Sequence, residues 1–218
     1  MIATADIIGR VRRLLNEAEA DEQLSLLSQD TRSIDAHILA LLPQAVAMTQ
    51  SSKGGGCGCV NAKSLDVATA KMVMCDDGGA MLSLPADFVS AVSLQLKGWR
   101  RPCTRLLPTG SAEALAQCTG KVLAGTCRPL AVEGVGVDGS RVAFLYPVLG
   151  EDPALVHFLY EAEFNADEGL LGCSAQLADA VAYNCAALLY NVFERPDAAN
   201  MFMSIASVLS NSVRTERR

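Results

Sequence analysis

The chain has 218 residues and a mass of 23.0 kDa; half of the residues are hydrophobic, 19% are charged, and the net charge is −6. Folding would take a chain of this size from ~33,000 Å² of accessible surface to ~9,600 Å², burying roughly 70% of it and excluding disorder as a global description. The acidic balance, 24 Asp and Glu against 18 Lys and Arg, excludes a duplex-DNA reader built on a basic stripe, and no uncharged apolar run is long enough to suggest a transmembrane helix.

The first predicted element is a helix over residues 4–20, with Thr4 as N-cap and Asp6 in the first turn. Ile7, Ile8, Val11, Leu14 and Leu15 share its apolar face, and Arg10, Arg12 and Arg13 lie largely off it. Residues 21–32 are polar and read as a loop or a frayed turn. Ser33 can cap a second helix with a stripe of Ile34, Ile38, Leu41, Leu42 and Ala45, and Pro43 is expected to kink or break it near Leu42. The run from Ser51 to Cys59 contains Gly54, Gly55 and Gly56 and reads as a flexible connection.

The period then changes. Val67–Cys75 is β-prone, Asp76, Asp77, Gly78 and Gly79 form a hairpin signal, and Ala80–Leu84 is the returning strand. Leu84–Phe88 reads as a turn, Val89–Leu96 as an alternating strand, Cys103–Leu107 as a short strand and Ser111–Cys118 as a short helix. Cys127–Val132, Arg141–Tyr146 and Leu155–Phe164 are further strands, with Gly134, Gly136, Asp138 and Gly139 marking a turn. Ser174 can cap a helix over Ala175–Phe193 whose inner face is Leu177, Val181, Cys185, Leu188 and Val192. Pro196 and Asp197 suit the first turn of a last helix with Phe202, Ile205, Ala206 and Leu209 as its stripe. Helices, then strands, then helices make an α+β pattern. The expectation is one domain over 1–218: N-terminal helices over 1–50, a flexible loop over 51–63, a mostly antiparallel β-rich region over 64–165, and a C-terminal helix pair over 174–212.

Met1–Asp6 lacks a basic region followed by an apolar one, so no signal peptide is expected. The eight cysteines then read as mostly buried free thiols in a reducing compartment. Cys57 and Cys59 are the sharpest metal candidates, but Cys75 or His37 would have to complete a four-ligand site. His37 or His157 could pair with a cysteine as nucleophile and base, although no hydrolase elbow, zinc-protease pair or phosphate loop accompanies them. Catalytic, cofactor and metal residues are therefore all expected to be absent. Lys97, Gly98, Trp99, Arg100, Arg101 and Pro102 form the most distinctive cluster. Trp and Arg are enriched at interface hot spots, which makes Lys97, Trp99, Arg100 and Arg101 the candidates for partner contact. A Trp packed at the core edge with arginines reaching outward is the competing reading. Arg214–Arg218 adds a small basic tail, either a solvated end or a contact for an acidic neighbour.

Leu84–Val89 followed by Leu96–Pro102 resembles a segment of the neck proteins of tailed phages and prophages of Bacteroides-type hosts, the head–tail connector or ring proteins, including those of crAss-like phages. Similar in order and character are Ile7–Leu15, the Pro-interrupted Ile34–Val46, Gly120 through Arg128, Pro129 and Leu130, and Leu177–Val181. The likeness spans most of the chain in short pieces, none of them a catalytic motif. The Gly-Gly-Gly-Cys-Gly-Cys loop and the many cysteines depart from the family's pattern.

The resemblance implies a structural virion protein, made in the host cytoplasm, that forms an oligomeric ring, often a dodecamer, beneath the portal. Its partners are copies of itself, the portal, and tail or neck proteins; DNA passes through the ring without specific binding. No membrane, cofactor or chemistry is implied. An acidic surface is compatible with a lumen that does not hold DNA, and the polar stretches 21–32 and 51–62 could order on neighbouring subunits. Two alternatives compete with this reading: a binding or scaffold module outside phage, and a thiol-dependent enzyme.

Overall fold

The computed structural model describes residues 1–15, 34–52, 59–120, 124–136, 138–150, 152–165 and 169–212. Among these are five helices and ten strands in α+β order, with helices first, sheets in the centre and a helix pair last. The sequence reading takes 1–218 as one domain; the structure groups the chain into two compact units. One unit comprises Met1–Asn61 with Glu163–Arg218. The other, Ala62–Ala162, is inserted into it.

In the helical unit, β1 (Ile2–Ala3) pairs antiparallel with β10 (Leu170–Leu171) and leads into α1 (Thr4–Leu14). Thr4 is not the N-cap. Ala3 holds that position without a side-chain bond, and the Thr4 amide donates to the Gly169 carbonyl at 3.0 Å, so the backbone just before β10 takes over the capping role. Ile7 and Val11 are fully buried, with Ile8, Leu14 and Leu15 packed against the same core. Residues 16–33, and with them the end of the first predicted helix, the polar loop and the Ser33 cap, lie outside the described residues.

Pro43 does not break the second helix. α2 runs from Ile34 to Ser52, taking in the first residues of the expected flexible connection. Pro43 removes one helix hydrogen bond at a cost of ~3 kcal/mol. Ala45, Val46 and Thr49 beyond it are fully buried, and Val46 alone contributes about 1.5–3 kcal/mol of burial. Tertiary packing therefore carries the helix past the proline.

α4 (Ala175–Val192) starts where Ser174 Oγ accepts from the Leu177 amide at 3.3 Å, as the cap signal predicts. Leu177, Val181 and Cys185 are buried, but Val192 at the helix end is exposed and Leu188 only half-buried; Ala178, Ala182 and Leu189 complete the inner face instead. Asn184 donates to Thr49 Oγ1 at 2.9 Å, and Thr49 donates to the Ala45 carbonyl at 2.8 Å, a buried polar tie between α4 and α2. α5 (Pro196–Ser212) begins at Pro196 as expected and packs Phe202 on Tyr190, with ring centroids 5.2 Å apart.

The inserted unit contains two sheets. The smaller has the order β2 (Ala62–Ser64), β9 (Leu155–Ala162), β5 (Phe88–Leu96). The larger has the order β3 (Met72–Met74), β4 (Ala80–Ser83), β8 (Arg141–Tyr146), β7 (Leu130–Val135), β6 (Leu107–Pro108), all antiparallel except β6 with β7. The core of the unit includes Leu82, Phe88, Leu94, Leu145, Phe158 and Tyr160. The expected strand over Val67–Cys75 shrinks to β3. Asp66 turns the chain first, its side chain accepting from the Ala68 amide at 3.0 Å and its carbonyl from the Thr69 amide at 3.1 Å. Of the expected Cys103–Leu107 strand there remain an isolated bridge between Cys103 and Leu94 and, at its end, Leu107 in β6. The short helix forms as α3 (Ala112–Cys118), capped by Ser111. No helix is long and apolar enough to cross a membrane among the described residues.

Candidate functional site

The segment from Lys97 to Arg128 departs from the rest of the chain in charge. It holds Lys97, Arg100, Arg101, Arg105, Lys121 and Arg128 against Glu113, six positive charges to one negative. A net +5 there leaves −11 on the remainder of a chain whose total is −6. Folding concentrates part of this charge further. Arg101, Arg105 and Arg128 line a cleft of about 860 Å³ between the 101–107 stretch, α3 and the 124–131 segment that leads into β7. Apolar side chains, among them Leu107, Ala116 and Leu130, form much of its wall, and Glu113 is the one carboxylate among the lining residues.

Local chemistry explains how the cleft is held. The Cys103 and Leu94 backbones exchange two hydrogen bonds of 2.8 Å, fixing the 101–107 stretch beside β5. The Arg100 amide donates to the Thr126 carbonyl at 2.9 Å, tying that stretch to the far loop. Gln117 on α3 accepts from the Ala124 amide at 2.7 Å, closing the third side. The three arginines are exposed, and none forms an ion pair with a carboxylate among the described residues. Guanidinium groups at the mouth of a partly apolar cleft can hold a carboxylate or phosphate in bidentate fashion.

The four predicted contact residues separate. Trp99 is only 4% exposed and belongs to the core of the β unit. Gly98 adopts φ +91°, which turns the chain after β5 and sends the indole inward; a Cβ there would sit 2.7 Å from Leu149 Cδ1. Trp99 Nε1 donates to the Pro147 carbonyl at 2.7 Å, and Gln95 donates to the Trp99 carbonyl at 2.9 Å. The indole's contact surface is thus used within the unit, leaving Lys97, Arg100 and Arg101 exposed, with Arg101 at the cleft. Arg105 and Arg128 fall outside the predicted contact set, although the charge bias of 97–128 contains both.

Other candidates are dispersed. Cys75, Cys103, Cys118, Cys127 and Cys185 are free thiols, but only Cys185 is buried, against the expectation of mostly buried cysteines; the others sit on turns and at element ends, where side chains reach solvent. Burial pushes the Cys185 thiol up to about 12, and burial together with Asp77 and Asp76 raises that of Cys75. A high thiol pKa suppresses the thiolate nucleophile at neutral pH. His37 is exposed on α2, while His157 Nε2 lies 2.7 Å from Ser93 Oγ rather than beside a cysteine. That pair lines neither the basic cleft nor a second cleft of about 510 Å³ beside Arg10 and Asp179 in the helical unit. Cys57 lies outside the described residues, as does the basic tail, and no group of three His, Cys, Asp or Glu side chains suited to a metal occurs among the described residues. No protein-family model matches the chain, and no curated protein matches it.

Proposed function

We propose that the chain is a non-enzymatic structural subunit of a tailed-phage neck. Copies of it form a ring that joins portal to tail and continues the DNA channel. It would be made in the host cytoplasm and reside in the virion neck. The resemblance through Leu84–Val89, Leu96–Pro102 and the flanking helices supports the neck assignment. The observation that carries the self-assembling part is the segregation of charge, a net +5 over Lys97–Arg128 against −11 elsewhere.

A ring requires a heterologous interface, in which one patch of each subunit meets a different patch of the next. Unlike charges on two patches favour that pairing and disfavour like-to-like contacts. The acidic remainder suits a channel wall, because like-charge repulsion keeps DNA from adhering while it moves.

Negative-stain electron microscopy of the purified chain, alone and mixed with the portal of its own phage, tests this reading. Rings of uniform diameter, stacked coaxially on the portal, are the expected images. A particle that stays single and never joins a portal would contradict it and favour a scaffold module.

A further inference from the structure

We propose that the basic cleft is the socket of the subunit interface and that its occupant is the β3–β4 turn of a second copy of this chain, with Asp76 entering among Arg101, Arg105 and Arg128. This inference rests on the self-assembly reading above and specifies its contact.

Three features of the inserted unit support it. The first is position. In the sheet order β3-β4-β8-β7-β6, the β3–β4 turn lies at one edge, and β6, whose Leu107 lines the cleft, lies at the other. Four strand spacings separate the two edges, about 19 Å. A plug on one edge and a socket on the opposite edge define a head-to-tail contact.

The second is level. Ala80, directly after the turn, pairs with Leu145 on β8, and the next residue, Tyr146, pairs with Leu130 on β7, itself a cleft residue. Turn and socket therefore lie at the same end of the strands. A neighbour displaced sideways across the sheet presents its turn at the height of the socket without sliding along the strand axis. A heterologous contact closes into a ring only when its rotation returns on itself without a rise along the axis, and a plug and socket at one level are compatible with the absence of such a rise.

The third is complementary chemistry. Asp76 and Asp77 sit on the turn, and Val73 and Met74 on the edge strand beside it are exposed, matching a socket of arginines set in an apolar wall. The turn is braced by bonds within its own unit. Cys75 and Gly79 bond across it at 2.9 Å, Asp77 accepts from the Tyr146 hydroxyl at 2.6 Å and from the Gly79 amide at 3.1 Å, and Gly79 lies so close to the Tyr146 ring that a Cβ would fall 2.4 Å from Cε1. Asp77 is thus engaged within its own unit, and Asp76, exposed at the tip, is the carboxylate presented outward.

Charge reversal in the full chain tests the contact, read by sedimentation velocity with Trp99 fluorescence as the check on folding. Asp76→Arg and Arg128→Glu are each expected to weaken self-association at least tenfold, and the double variant to recover most of it. Arg105→Glu serves as a second socket variant should Arg128→Glu misfold. If the unmodified chain assembles but neither reversal weakens it, or if the double variant shows no recovery, the socket assignment falls while the ring reading stands. If socket reversal abolishes portal binding and leaves self-association intact, the socket belongs to the portal and the inference is overturned. If the unmodified chain stays monomeric at every concentration, the inference and the ring reading fall together.

Discussion

Trp99 Nε1 donates to the carbonyl of Pro147 at 2.7 Å, joining the turn after β5 to the segment after β8. This bond, with the indole buried in the β-unit core, makes the chain's one tryptophan a structural residue. Trp99→Ala is expected to cost about 3–5 kcal/mol of stability, and Trp99→Phe about 1–3 kcal/mol, because it leaves the Pro147 carbonyl without its donor. Urea unfolding followed by far-ultraviolet circular dichroism gives both values. A Trp99→Ala variant as stable as the parent would mean the indole is a contact residue after all.

Thr49 and Asn184 form the buried tie of the helical unit. Thr49→Val leaves the Asn184 amide without its acceptor and should destabilise by about 1–3 kcal/mol. Thr49→Val combined with Asn184→Leu should cost less than the sum of the single changes, since both polar groups then leave together. Thermal or urea unfolding of the four proteins of the cycle measures the coupling; strict additivity would contradict the hydrogen bond.

Cys185 gives the helical unit an alkaline dependence. Its thiol is raised from 9.0 to about 12 in the folded chain, so the folded state keeps a proton that the unfolded state releases. The stability this contributes is fully present below pH 9 and is lost as pH rises toward 12, at about 1 kcal/mol per pH unit. Cys185→Ala should flatten that decline relative to the parent. In the native protein, Cys118 and Cys127 should react with a thiol reagent at once, and Cys185 only as the chain unfolds.

Assembly through a charged socket should respond to salt. Raising ionic strength from about 0.1 to 1 M shortens the screening length from about 10 Å to 3 Å, and the association constant of the ring subunits should fall several-fold. Light scattering across that range measures it. Association that strengthens with salt would indicate an interface made by the apolar surfaces instead.

The parts of the fold legible in the sequence are those set by local chemistry. The Asp76–Gly79 turn, the Ser111 and Ser174 caps, Pro196 at a helix start and the strand Arg141–Tyr146 all stand where turn and cap residues place them. The misreadings come from competition with distant or overlooked partners. Pro43 is overridden by burial on both of its sides, Thr4 is displaced as cap by the Gly169 carbonyl, and the Asp66 turn removes half of an apparent strand. Whether Trp99 points outward or inward depends on the φ of Gly98, which sequence pattern does not reveal. The cleft is non-local, drawing Arg101 and Arg105 toward Arg128 and α3. The basic bias of 97–128 is visible beforehand, but its shape is not.

The proposed role stands or falls on self-association of the chain. Sedimentation velocity of the purified full chain, from about 1 to 100 µM, measures it. A discrete species at an integral multiple of 23.0 kDa, growing with concentration and limited in size, is the predicted result. A single boundary at 23.0 kDa throughout would contradict it.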